Sequence, residues 1–229
     1  MLDLLARDER PLALAEIARR LGLPKSSALS LLRALSAAEY TALDEGGRYR
    51  LGVRSFEIGA AYLRTMTPVR AVAPELQRLT DRLGATSHFA VLEGDEVVYL
   101  AKHDPPDTGL KLASSLGARL PAATTAVGKA QLAYDGARTA PAPLQPEIDP
   151  DELSEVRRLG YALDEGRTAT GVRCVASPVF TPEGCCGAIG VSLLLHGGPS
   201  TEAVAGEVRL AAERASARLG GREPATAVG

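Results

Sequence analysis

Residues Leu14 to Leu35, LAEIARRLGLPKSSALSLLRAL, hold two short amphipathic runs that meet at a glycine, the second opening on a proline. Leu14, Ile17, Ala18 and Leu21 fall at i, i+3, i+4 and i+7, so they share one helical face and leave Glu16, Arg19 and Arg20 outside. Gly22 ends that helix, because a residue without Cβ takes the left-handed position after the last turn at little cost. Pro24 suits the first position of the next helix, where its missing N–H is not needed. Ala28, Leu31, Leu32 and Leu35 repeat the inward stripe. The opposite face carries Lys25, Ser26, Leu29, Ser30 and Arg33, small or cationic groups that fit a helix laid in a major groove. Taken alone, the two helices fit an ordinary αα-hairpin equally well.

The next residues favour the first reading. Thr41 to Leu51, TALDEGGRYRL, is two strand-like runs around Glu45-Gly46-Gly47, a β-hairpin directly after the second helix and hence a winged helix-turn-helix. Alternation puts Arg48 and Arg50 on one face, within reach of phosphates, and Tyr49 and Leu51 on the other. The net charge of −2 conceals an asymmetry: residues 1–64 have ten Lys/Arg against eight Asp/Glu, and residues 65–229 have sixteen against twenty. A mildly basic head on an acidic body fits one module for nucleic acid and another for something else.

Leu2, Leu4 and Leu5 read as a first helix ending at Asp8 or Glu9, and Ala13 stands where Ser or Thr would complete a capping box with Glu16. After the wing, Val53 to Arg64 has a helical register of Phe56, Ile58, Ala60, Ala61 and Leu63, with Tyr62 on its flank. Pro68 marks a break, and a further helix over Val69 to Leu83 has Val72, Leu76, Leu79 and Leu83 as its stripe and Gly84 as its stop. The domain boundary is placed between Arg64 and Pro68.

The second module reads as α/β. Ser87–Leu92 and Glu96–Lys102 are strand-like and joined by Glu93-Gly94-Asp95; Leu110–Leu112 is extended before Gly117–Pro121. Ala126–Tyr134 is helical, the Pro- and Ala-rich stretch from Asp135 to Pro150 irregular, and Asp151–Leu159 a short helix capped by Gly160. Strands follow at Tyr161–Asp164, Arg173–Phe180 and Cys185–Leu195, then a helix over Thr201–Leu219 and a frayed tail from Gly220. The three cysteines, Cys174, Cys185 and Cys186, form no even-numbered framework, and neither a signal peptide nor a membrane-spanning run is visible, which points to a reducing, cytoplasmic setting. His88, His103 and His196 are too dispersed for a metal site, and Gly187-Ala188-Ile189-Gly190 is too fragmentary for a dinucleotide fingerprint, so no cofactor is expected.

The segments PLALAEIARRLGLPKSSALSLLRAL, GRYRLG, GARLPAATTAVGKAQLA and RRLGYALDEGRTATGVRCVASPVFTPEGCCGAIGVS, in that order, resemble the IclR family of bacterial transcription regulators. The resemblance implies an α+β chain: a winged helix-turn-helix (1–52), a linker helix that helps dimerise (53–67), a GAF-like mixed α/β effector domain (68–219) and a flexible tail (220–229). It implies operator binding as a homodimer or tetramer, as a repressor, with binding modulated by a small carboxylate or aromatic acid. Carried over by residue, it places Lys25, Ser26, Ser27, Leu29, Ser30 and Arg33 in the recognition helix and Arg48 and Arg50 in the wing. The resemblance also implies that Ala123, Thr124, Asp164, Cys174, Gly190 and Ser192 line the effector pocket, whose small-molecule ligand modulates binding to double-stranded operator DNA. Ser30 departs from the family's frequent Arg, Leu29 from a polar or aromatic residue, and Glu39 from a Gly at the end of the recognition helix. The stretch from Ala133 to Asp151 is shorter than usual, which leaves open a ligand-independent regulator with a degenerated sensor. A remoter alternative is an enzyme on the second module, with Cys174, His88 and Asp164 as nucleophile, base and orienter.

Overall fold

The structure, a computed structural model, describes residues 1–8, 10–106, 115–134, 149–195 and 197–224. The chain divides into two compact units, Met1–Thr65 and Met66–Gly229.

The first unit runs α1 (Leu2–Arg7), α2 (Leu14–Arg20), α3 (Lys25–Ala37), β1 (Thr41–Leu43), β2 (Tyr49–Leu51) and α4 (Val53–Thr65). Its core is Leu5, Leu12, Ile17, Leu32 and Tyr49. Leu12 and Tyr49 exchange backbone hydrogen bonds of 2.9 and 2.8 Å, so the segment before α2 pairs with the wing strand β2. Arg10 and Arg20 both pair with Asp8 and Glu16, which ties the end of α1 to α2. Pro24 stands at the N-cap of α3, one residue before the position expected for it, and Leu31 is 50% exposed, so Ala28 and Leu32 alone form the buried stripe of α3.

Both helices of the pair end in the same backbone motif. After α2, Leu23 N–H reaches Ala18 O at 2.9 Å and Gly22 N–H reaches Arg19 O at 3.3 Å; after α3, Tyr40 N–H reaches Leu35 O at 2.9 Å and Glu39 N–H reaches Ser36 O at 3.0 Å. These are Schellman closures, which require a left-handed residue. Gly22 supplies it at φ 64°, Glu39 at φ 62°. Glu39 is the one non-glycine residue with positive φ among the described residues.

The second unit runs α5 (Thr67–Leu83), β3 (Thr86–Glu93), β4 (Glu96–His103), β5 (Arg119–Pro121), α6 (Ala126–Leu132), α7 (Pro150–Leu159), β6 (Ala162–Glu165), β7 (Val172–Thr181), β8 (Gly184–Leu194) and α8 (Thr201–Arg218). Its six strands form one antiparallel sheet in the order β5-β4-β3-β8-β7-β6. Alternation sorts the faces: Phe89, Val175, Ile189 and Val191 lie on one side, and Ala90, Ala176 and Ala188 on the other, in a cluster with Ala126, Val127 and Ala130 of α6. Gly128 of α6 lies against the loop that precedes the helix, where a Cβ would stand 2.1 Å from Ala122 O. Its buried Lys129 is matched by Glu152 of α7 at 2.6 Å.

Two expectations for this unit are corrected. Pro68 is not a break, since it sits in the first turn of α5, where a proline lacks no needed donor, and the helix starts after Met66. Residues 220–224 are not frayed: Gly221 N–H bonds Ser216 O at 2.9 Å, and a Cβ at Gly221 would stand 2.1 Å from Phe180 O, so the chain lies flat against β7. Residues 225–229, the extended run expected at Leu110–Leu112 and the irregular 135–148 lie outside the described residues.

Candidate nucleic-acid interface and effector site

On α3, Lys25, Ser26, Ser27, Ser30 and Arg33 are exposed and Leu29 is half-buried; on the wing, Arg48 and Arg50 are exposed while Tyr49 between them is buried. The alternation follows from the core, because Tyr49 fills the space beside Leu12 and thereby turns its neighbours outward. Asp44 closes the hairpin by accepting Arg48 N–H at 2.8 Å. The α3 N-cap, Pro24, makes no side-chain cap, so the first amides of the helix keep their donors free of side-chain caps beside Lys25. Arg10 and Arg20 are ion-paired, yet Lys25, Arg33, Arg48 and Arg50 have no side-chain hydrogen bond or ion pair among the described residues.

In the second unit a row of polar residues crosses four strands. Thr86 of β3 lies opposite Ser192 of β8, Ser192 opposite Cys174 of β7, and Cys174 opposite Asp164 of β6. Two residues along, His88 lies opposite both Gly190 and Lys102 of β4. Both rows share the α6 face by the period of two. The Cys174 thiol and Ser192 hydroxyl are 3.2 Å apart, and Thr86 donates to Asp104 at 2.7 Å, which also holds Lys102 at 3.0 Å. Tyr99 meets His88 edge to face at 5.2 Å.

Burial sets the protonation of this belt. It pushes the His88 imidazole down to about 4, with Lys102 adding to the effect, so the ring is neutral at pH 7. His88 Nδ1 is buried without a hydrogen-bond partner among the described residues. Burial pushes the Cys174 thiol up to about 11 and the Tyr99 phenol above its usual range. Cys174 is therefore a thiol and no activated nucleophile. Its partner is Ser192, while His88 is two strands away across β8, so the geometry opposes the nucleophile–base–orienter alternative.

The six expected pocket residues differ in what they offer. Ser192, Cys174 and Gly190 are in the belt. Asp164 accepts Arg167 N–H at 2.8 Å and Thr168 N–H at 3.2 Å, so its charge holds the chain after β6 and does not face an anion as a free carboxylate. Thr168 in turn donates to Thr124 O at 3.4 Å, which ties that turn to the loop before α6. Thr124 is half-buried; Ala123 is fully buried in the α6 core and presents no side-chain chemistry. Thr86, His88, Tyr99, Lys102 and Asp104 were not among the expected residues. Alternation within β3 and β4 is in the sequence, but which strands they adjoin is not.

Residues 60–217 match the family described as bacterial transcriptional regulator IclR C-terminal, and residues 1–45 match the IclR helix-turn-helix domain. The chain is 32% identical over 198 residues to the HTH-type transcriptional regulator XynR of Escherichia coli, covering 80% of this chain and 78% of that protein. It superposes on the IclR transcriptional regulator of Alicyclobacillus acidocaldarius with a TM-score of 0.81 and 28% identity over 94% of each chain. An IclR homolog from Microbacterium hydrocarbonoxydans, crystallised with 4-hydroxybenzoate, shares the fold at a TM-score of 0.78 and 22% identity over 95% of each chain. No helix among the described residues is long and apolar enough to cross a membrane. The chain thus belongs to the IclR family: it is a DNA-binding transcription regulator and not an enzyme.

Proposed function

We propose that the protein is a repressor that grips its operator with α3 and the wing and is controlled by a small organic acid held in the polar belt of the second unit. The observation that carries the DNA part is the set of four cations, Lys25, Arg33, Arg48 and Arg50, exposed and unmatched on one module. Unmatched surface cations release condensed counterions when they meet phosphates, which gives affinity and a steep salt dependence. Ser26, Ser30 and Leu29 read bases between them, with Leu29 offering at most a thymine methyl contact. Two copies join through α4, which has no buried residue and exposes Phe56 at 75%, Tyr62 at 50% and Ile58 at 45%. An apolar face of that kind on a helix is a surface for a like helix.

For the effector, Lys102 supplies an ammonium group that it shares with Asp104; Ser192 and the neutral His88 supply uncharged hydrogen-bonding groups, and Tyr99 supplies an aromatic wall. A hydroxylated or aromatic carboxylate meets all three, and the 4-hydroxybenzoate in the Microbacterium relative is of that class. The ligand binds one arrangement of the dimer better than the other and shifts operator affinity by that difference. Genomic fragments retained by the protein define the operator, and a panel of organic acids then tests the coupling. Arg33→Ala and Lys25→Ala each weaken binding and lower the salt slope by about one. Unchanged affinity and slope in both variants refute the interface. An acid that raises the melting temperature while operator affinity stays constant refutes the coupling.

A further inference from the structure

A cavity lies beside α8 at the far end of β7 from Cys174. It has a volume of about 400 Å³ and is lined by Pro178 and Phe180 of β7, Arg209 and Ala217 of α8, and Arg222 of the C-terminal segment. It continues past Arg209 and Glu223 into a polar recess of about 310 Å³ at the end of α7, which Arg157 and Arg158 line.

The cations of this groove are not equivalent. Arg158 is occupied by Glu155, through its Nε at 2.7 Å. Arg157 is held in place by Ala133 O at 2.8 Å and Ser154 Oγ at 3.0 Å, both uncharged. Arg209 comes no closer than 4.0 Å to Glu213, and Arg222 has neither an ion pair nor a hydrogen bond through its side chain among the described residues. Of the two acids in the lining, Glu223 is taken by the Tyr134 hydroxyl. The floor is apolar, with Tyr134 edge to face on Phe180 at 5.1 Å. Backbone geometry holds the walls: Gly160 is left-handed at φ 74°, and a Cβ there would stand 3.0 Å from Arg209 Nε. Gly221 lies against Phe180 O as described above.

We infer that this groove is a second small-molecule site, one that takes an organic anion with an aromatic or apolar body, its phosphate or carboxylate on Arg209, Arg222 and Arg157 and its body on Phe180 and Pro178. Guanidinium groups without a close carboxylate partner can grip such oxyanions bidentately, and the Phe180 and Pro178 surface favours an anion with a body over one without. The site is independent of the belt around Ser192 and Cys174.

The probe is phenyl phosphate, titrated calorimetrically into the full chain, with inorganic phosphate and phenol as its separate halves. The expected result is saturable binding of phenyl phosphate, weaker binding of inorganic phosphate and weaker still of phenol. Arg209→Gln with Arg222→Gln reduces the affinity about tenfold or more, as loss of charge-assisted contacts requires. Ala217→Phe, at an exposed position on α8, fills the cavity and abolishes binding while leaving every charge in place. Lys102→Gln, in the belt, leaves it unchanged. No saturable heat at millimolar phenyl phosphate overturns the inference, as does unchanged affinity in both groove variants. Loss in Lys102→Gln with retention in the groove variants assigns the probe to the belt and also overturns it.

Discussion

Replacing Glu39 by glycine should stabilise the DNA-binding unit, although glycine ordinarily weakens a fold. Glu39 holds φ at 62° in the Schellman closure after α3, and the same closure after α2 uses Gly22 at φ 64°. A side chain in the left-handed region costs roughly 1–2 kcal/mol, because Cβ crowds the neighbouring carbonyl. Glycine has no Cβ, but it returns about 0.5–1 kcal/mol to the unfolded chain as extra entropy. The Glu39 side chain is exposed and makes no hydrogen bond or ion pair among the described residues, so nothing else is lost; its carbonyl, which accepts Arg54 N–H at 3.3 Å, stays. The net gain lies between about 0 and 1.5 kcal/mol with its centre near 0.75, which for a unit of this size raises its melting temperature by roughly 3–6 °C at the centre of that range. Differential scanning calorimetry of the full chain resolves that transition. Glu39→Ala is the control, since it removes the charge and keeps the Cβ. If the alanine variant gains as much as the glycine variant, the stabilisation comes from charge and the backbone argument fails.

The remaining predictions concern the belt and the linker helix. Between pH 6.5 and about 4 the unfolded chain takes up a proton on His88 that the buried ring refuses, so stability falls as pH drops through that window and levels off below it. The loss is on the order of 3 kcal/mol at most, and His88→Gln should flatten this part of a urea-denaturation series. Gly190→Ala places a Cβ 2.5 Å from His88 Nε2 and 3.0 Å from Val127 Cγ1, an overpacking cost of about 1–3 kcal/mol that His88→Ala in the same chain should largely relieve. Phe56→Arg should convert the proposed α4-mediated dimer to monomer in sedimentation velocity and weaken operator binding through loss of the second half-site.

Local chemistry made most of the first unit legible. Gly22, Pro24, the 3.6-residue stripe and the Gly46-Gly47 turn are each decided by neighbours in sequence, and the elements appear where they were expected. Leu31 escaped because a stripe read from periodicity is broader than the surface available: of the apolar residues on α3, the core takes Ala28 and Leu32 and leaves Leu31 exposed. Leu12 had no periodic signal, since its burial depends on pairing with a strand far along the chain. In the second unit the strands were legible and their order was not. His88 read as a dispersed histidine because its companions, Gly190 and Lys102, come from β8 and β4, and only the register brings the three together. The C-terminal segment looked frayed for a related reason: two glycines and charged neighbours suggest a tail, yet glycine at 221 is what permits contact with the Phe180 backbone.

The belt also has a thermodynamic consequence. On the same face, Ala90, Ala176 and Ala188 continue the sheet as ordinary core, so the polar rows are not a requirement of the fold. A buried nitrogen without a partner, as at His88 Nδ1, costs about 1–3 kcal/mol, and the closely approached Gly190 leaves the ring little freedom to turn toward one. Asp164 and Thr168 meanwhile join the end of β6 to the loop before α6, holding the two sides of the belt together without using Ser192 or Lys102. The framework thus satisfies its own polar groups, Ser192 with Cys174 and Lys102 with Asp104, and leaves His88 Nδ1 unmatched. On the proposed assignment of the belt as effector site, a ligand that supplies the missing hydrogen bond should recover part of that cost, so a small polar molecule should act more effectively there than an apolar one of the same size.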